Sequence, residues 1–178
     1  MMKQIQQLQA KAEEMQAKGL TYYGTKWIPA QSADKLREAD RKACGWNCEV
    51  RIDTPHFVLY GGRTLALAHR LAVLMENDLA AYQRFYKGVW SPQPLAKPIK
   101  VYLFGDLDTY LKKLKTDLGQ DVTGFTGLYS AVTKVCYLGF ASDYKPGLDP
   151  DAYIQEQTAR VAAHEMVHAF DDLISRNT

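Results

Sequence analysis

The segment Ala162-Ala163-His164-Glu165-Met166-Val167-His168-Ala169-Phe170-Asp171-Asp172 constrains this 178-residue chain more than any other. Residues four apart on an α-helix lie about 40° apart around its axis and one turn along it, so His164 and His168 can bring their imidazoles to one point. Helical spacing sorts the neighbours as well. Ala163, Met166, Val167, Phe170, Leu173 and Ile174 fall on an apolar arc, and Arg160, His164, Glu165, His168, Asp171 and Asp172 fill the other side. A helix divided in this way, running from about Ala152 to Ile174, needs a core to lie on. It turns its histidine-bearing face towards a cleft or solvent.

His164-Glu165-x-x-His168 is the HExxH pattern, in which two imidazoles hold a zinc ion and the glutamate is the general base. Four histidines and seven glutamates in this chain put the expected number of chance matches at about 0.003. The rival is a solvated helix face with intrahelical charge pairs. A tetrahedral catalytic zinc takes three protein ligands and a water, and the third ligand is not evident. The longer pattern HExxHxxGxxH would place glycine at position 171 and histidine at 174, where Asp171 and Ile174 stand. Asp171 lies nearly a turn beyond His168, and its short side chain reaches an ion there poorly. Asp171 and Asp172 therefore read as acceptors for an imidazole N–H. Ten residues follow His168, so the expectation is that a further ligand lies past Thr178 in a longer parent chain with further domains.

The rest of the chain supplies a body for that helix. Residues 3–18 carry one thin apolar stripe at Ile5, Leu8, Ala12 and Met15, ended by Gly19. Tyr22–Ile28 reads as a small hairpin turned at Gly24-Thr25, and Ser32 as the cap of a helix through Lys42. Residues 1–46 form a lead-in segment and residues 47–178 the main domain. In that domain the expected strands are 56–60, 99–104, 125–130 and 134–140. Between them stand a helix from Thr64 to Lys87, striped by Leu67, Leu71, Leu74, Met75, Leu79, Tyr82 and Tyr86, and one capped by Asp106 or Asp108 and ended at Gly119. A Pro-rich connection, Ser91 to Pro98, and a loop holding Asp143, Pro146, Gly147 and Pro150 separate elements. The order β-α-β-α-β-β-α specifies an α+β fold, a mixed sheet packed on helices with the last two strands as an antiparallel hairpin.

Composition narrows the function. Apolar residues make up 47% and charged residues 24% of the chain, which excludes collagen-like and wholly disordered readings. Twenty-two basic and 20 acidic groups give +2 overall, but residues 141–178 hold 3 basic against 7 acidic. No concentrated basic stripe points to nucleic acid. No apolar run reaches the roughly 18 residues of a membrane span, and the N-terminus lacks the apolar stretch of a secretory signal. Cys44, Cys48 and Cys136 read as buried thiols, or as a Cys44–Cys48 disulfide with one thiol left over. Gly61-Gly62-Arg63-Thr64 lacks the lysine and spacing of a phosphate loop and reads as a turn. His56 and His69 read as structural.

The segments 124–130 (GFTGLYS), 134–139 (KVCYLG) and 163–169 (AHEMVHA) resemble the N-terminal half of a zincin catalytic domain of the gluzincin, thermolysin-like type. From His56 through His168 the chain also resembles the peptidase-MA-like family of bacterial proteins. The resemblance implies a zinc metallopeptidase in which His164 and His168 bind the metal and Glu165 is the base. It also implies that the strand bearing Gly127, Leu128 and Tyr129 pairs with an extended peptide or protein substrate, and it leans towards a place outside the cytoplasm. The family's third ligand and its oxyanion-stabilising His or Tyr have no counterpart among these residues. The alternatives are a non-catalytic zincin scaffold that holds a peptide or glycan, and a structural module of a larger surface protein.

Overall fold

A computed structural model describes residues 2–87, 95, 97–119, 125–139 and 150–175. Among them are helices α1 (Met2–Ala17), α2 (Ala30–Cys44), α3 (Leu65–Tyr86), α4 (Leu107–Leu118) and α5 (Pro150–Ser175). The strands are β1 (Leu20–Tyr23), β2 (Lys26–Pro29), β3 (Val50–Asp53), β4 (Phe57–Gly61), β5 (Ile99–Leu103), β6 (Gly127–Ser130) and β7 (Val135–Leu138). The fold is α+β. Most of the Pro-rich connection, Gly124, Phe140, and the loop with Asp143, Pro146 and Gly147 lie outside the described residues, as do the side chains of Leu173 and Ile174.

β1 and β2 form the expected hairpin, and the other five strands make one mixed sheet in the order β3-β4-β5-β7-β6. β4, β5 and β7 run parallel in its middle, while β3 and β6 close its two edges antiparallel to their neighbours. The parallel centre is covered on both faces, which its nearly continuous apolar strands require. Phe57, Leu59, Ile99, Val101, Leu103, Cys136, Leu138 and Tyr129 face α3 and α5. Tyr60, Tyr102, Val135 and Tyr137, with Val58 and Leu128 partly buried, face α4 together with Cys44, Trp46 and Cys48. The period-2 alternation along each strand thus divides the core into two layers.

Local chemistry fixes the element ends. The Thr64 side chain accepts from the Leu67 N–H at the start of α3, and Asp106 rather than Asp108 caps α4, taking the Thr109 N–H at 2.7 Å. Gly61-Gly62 is a turn with a packing reason. Gly62 donates to the Leu103 carbonyl at 2.9 Å, and a Cβ at Gly105 would stand 2.6 Å from the Gly62 oxygen, so two backbones leave the sheet in contact.

Two expectations are corrected. α2 begins at Ala30, behind Pro29, and no side chain caps it, so Ser32 sits inside the first turn. Proline already lacks an N–H and presets the entry angle. β3 was not anticipated. Its alternation of Val50 and Ile52 with Arg51 and Asp53 is only four residues long, and it exists because β4 supplies its partner. All three cysteines are free and buried, so the disulfide alternative does not apply.

Candidate functional site

The buried stripe of α5 consists of Thr158, Ala162, Glu165, Met166, Ala169 and Phe170. Its spacing of three and four residues is that of a core-facing helix. This corrects the expected arc on two residues. Val167 is 46% exposed, on the side of the histidines, whereas Glu165 is only 7% exposed. The small side chains Ala162 and Ala169 let the helix approach the sheet and rotate the stripe towards Glu165. A carboxylate can occupy such a position only with a hydrogen-bond donor.

That donor is the edge strand. Glu165 Oε2 accepts the backbone N–H of Tyr129 at 2.7 Å. The register explains why this N–H is available: Gly139 N–H donates to the Thr126 carbonyl at 2.8 Å, so Thr126, Leu128 and Ser130 turn their backbone groups to β7. Gly127 and Tyr129 turn theirs outward. Gly127 makes the approach possible. A Cβ there would stand 2.2 Å from Val161 Cγ1 and 3.1 Å from Glu165 Cγ. The Glu165 charge is also felt deeper in the protein: burial first, then that charge, push the Tyr110 hydroxyl and the Cys136 thiol up.

His164 and His168 are exposed on the adjoining flank of α5. Their Nε2 atoms are 3.2 Å apart, and their rings meet edge to face at 81°. Zinc–nitrogen bonds of about 2.0–2.1 Å at a tetrahedral angle set two imidazole nitrogens roughly 3.3 Å apart. The pair therefore fits two positions of a tetrahedral zinc ion. Without metal, one imidazole donates to the other.

A cleft of about 330 Å³ opens beside this flank, lined by Phe125, Thr126, Gly127, Arg160, Val161, His164 and Glu165. Of the residues expected to meet a substrate, Gly127 lines the cleft. Leu128 packs on the opposite face of the sheet, and Tyr129 is buried against α5. Phe125 and Arg160, expected on a strand and on the polar arc but not as site residues, stand in the wall. Their signal was position, one turn before His164 for Arg160 and just before β6 for Phe125.

Asp171 and Asp172 serve tyrosines. Asp171 Oδ1 accepts from the Tyr82 hydroxyl of α3 at 2.5 Å, and burial first, then this bond, push that hydroxyl up. Asp172 Oδ2 accepts from the Tyr129 hydroxyl at 2.8 Å and from Lys134 Nζ. Both carboxylates tie α5 to its neighbours through these bonds. His56 Nδ1 pairs with Glu76 Oε2 at 2.7 Å. Among the described residues, no group of three His, Cys, Asp or Glu side chains is placed to hold a metal, and no helix is long and apolar enough to cross a membrane. Compared with known proteins, the chain matches no family model, no curated protein and no solved structure.

Proposed function

We propose that this chain carries the zinc-binding and proton-accepting residues of a zincin-like metallopeptidase domain that hydrolyses peptide bonds. The observation that carries the reading is the 3.2 Å convergence of His164 and His168 Nε2, with His164 and Glu165 lining one cleft. The cleft beside α5, walled by Phe125, Thr126 and Gly127, supports it as a seat for a peptide; strand pairing along β6 does not extend to Tyr129, whose outward N–H is taken by Glu165. His164 and His168 would hold zinc, with a third ligand from outside the described residues. Bound there, zinc supplies Lewis-acid activation of water and of the scissile carbonyl. Glu165 accepts the water proton on Oε1, because Oε2 is engaged by Tyr129 N–H, and returns it to the leaving amine. The cleft wall, with Phe125 and Arg160, orients the peptide.

The test is zinc binding by this chain and cleavage of a broad peptide library by a chain with a complete ligand set, with His164→Ala and His168→Ala alongside in both. Zinc-dependent cleavage lost in both variants is the expected result. Zinc binding that survives both substitutions removes the metal site. A second reading, a non-catalytic scaffold that holds an extended peptide, is favoured by the lack of a third ligand among the described residues. Peptide binding without cleavage at saturating zinc would select it.

A further inference from the structure

We propose that Gly127 and the backbone N–H of Tyr129 are positioning groups for Glu165. The catalytic consequence rests on the peptidase reading above; the docking itself does not. An outward N–H on an edge strand ordinarily meets water or an added strand. Here a neighbouring helix supplies a carboxylate to it, in a place only 7% exposed, and the bond is short at 2.7 Å. Charge-assisted bonds of this kind fix both direction and distance.

With Val161 in place, docking requires α5 to lie closer to β6 than any side chain at position 127 allows. A methyl group on Gly127 would stand 2.2 Å from Val161 Cγ1, a separation that real Cβ atoms do not show. It would stand 3.1 Å from Glu165 Cγ and 3.5 Å from Oε1. The missing side chain therefore does two things. It admits Val161 and Glu165 to the strand, and it leaves the space over Gly127, in the cleft wall, to the second carboxylate oxygen. Gly127 does not have a positive φ, so packing rather than backbone conformation requires the glycine. The arrangement anchors one oxygen of Glu165 and leaves the other to the cleft that His164 also lines, which is what a general base acting there needs.

Amide hydrogen exchange, read residue by residue by NMR on the full chain without metal or peptide, tests this. The Tyr129 amide is expected to be protected in the wild type. Glu165→Ala should speed its exchange by at least about tenfold, as loss of a bond to a charged acceptor implies, while the Leu128 and Ser130 amides keep their protection. Gly127→Ala should have the same selective effect, and adding Val161→Ala should restore most of the protection by removing the clashing methyl. Unchanged Tyr129 exchange in Glu165→Ala overturns the proposal. So does a fall at Leu128 and Ser130 as large as at Tyr129, because the strand would then simply have opened. If Gly127→Ala alone does not fold, the double variant decides: selective Tyr129 protection recovered supports the proposal, and its loss overturns it. Peptide cleavage with zinc, by a chain with a complete ligand set, is scored separately. No cleavage with Tyr129 protected sinks the peptidase reading and leaves the docking. Cleavage with Tyr129 exchange indifferent to Glu165→Ala sinks the docking and leaves the peptidase.

Discussion

Glu165 and Tyr129 stand 36 residues apart in sequence, yet the Glu165 carboxylate accepts the Tyr129 backbone N–H at 2.7 Å. This bond goes with one rotation of α5 on the sheet. With Glu165 turned to β6, Met166, Ala169 and Phe170 reach the core, and His164 and His168 are left on the exposed flank. The position of the two imidazoles is therefore tied to the residue between them.

Zinc binding by this chain should be weak and should depend on both histidines. Two imidazoles 3.2 Å apart supply half of a tetrahedral set, and water completes it poorly. His164→Ala or His168→Ala should each lower affinity by at least about tenfold, because losing an imidazole that binds the metal costs more than losing a group that only orients one. Titration against a chromophoric chelator measures it. Tight binding at one zinc per chain would mean that a third ligand lies among the residues outside those described.

Glu165→Gln should spare zinc and remove hydrolysis. The glutamine carbonyl oxygen can still accept the Tyr129 N–H, so the helix keeps its rotation and the imidazoles keep their convergence. Glutamine cannot take a proton at neutral pH, and general-base transfer of this kind contributes roughly 10²–10⁴-fold. Metal content and peptide cleavage of a chain with a complete ligand set, measured together, check it. Loss of zinc in step with activity would make Glu165 a ligand.

Much of this geometry was legible in the sequence because it depends on local spacing. His164 and His168 converge because they are four apart, and the α3 stripe, the Asp106 cap and the β6–β7 hairpin follow from equally short-range patterns. Glu165 was misplaced on the polar arc because its partner is a backbone N–H, which no side-chain pattern announces. Asp171 and Asp172 accept from Tyr82 and Tyr129, partners that no local spacing announces because only the tertiary fold brings them to α5. β3 escaped because a four-residue strand takes its stability from β4, not from its own propensity.

Acid should selectively weaken the link between β4 and α3. Glu76 Oε1 accepts the His56 N–H at 2.9 Å and Oε2 meets His56 Nδ1 at 2.7 Å. Burial disfavours the Glu76 charge, but hydrogen bonds from Thr54 and from the His56 ring and backbone outweigh it and hold the carboxyl below 4.5. A folded pKa below the unfolded one contributes stability that is fully present above the unfolded value, and it is lost as pH falls through the folded value. Glu76→Gln should therefore cost roughly 1–2 kcal/mol near neutral pH. The gap between the variant and the wild type should narrow below pH 4.5. Urea unfolding of both proteins from pH 7 to pH 3 measures it, and a gap that is constant across the range would exclude the bond as its source.

Lys134 has φ of 57° in the β6–β7 turn, a left-handed conformation that favours glycine. The lysine stays there with its ammonium on Asp172 Oδ2, the same oxygen that takes the Tyr129 hydroxyl. Two effects oppose each other at this residue. The left-handed backbone costs a non-glycine residue roughly 1–2 kcal/mol, while an ion pair whose lysine is 36% exposed contributes about 0.2–1 kcal/mol. Lys134→Gly loses the pair but relieves the backbone, so its stability should match or slightly exceed that of the wild type. Lys134→Ala loses the pair and keeps the backbone cost, and should be less stable than Lys134→Gly by roughly 1 kcal/mol. Asp172 retains Tyr129 in both, so α5 should stay seated and zinc binding should not change. Urea midpoints of the wild type and both variants decide the matter: if Lys134→Gly is clearly less stable than the wild type, the ion pair and the packing of the lysine stem outweigh the backbone, and Lys134 is a clasp for α5 rather than a tolerated strain.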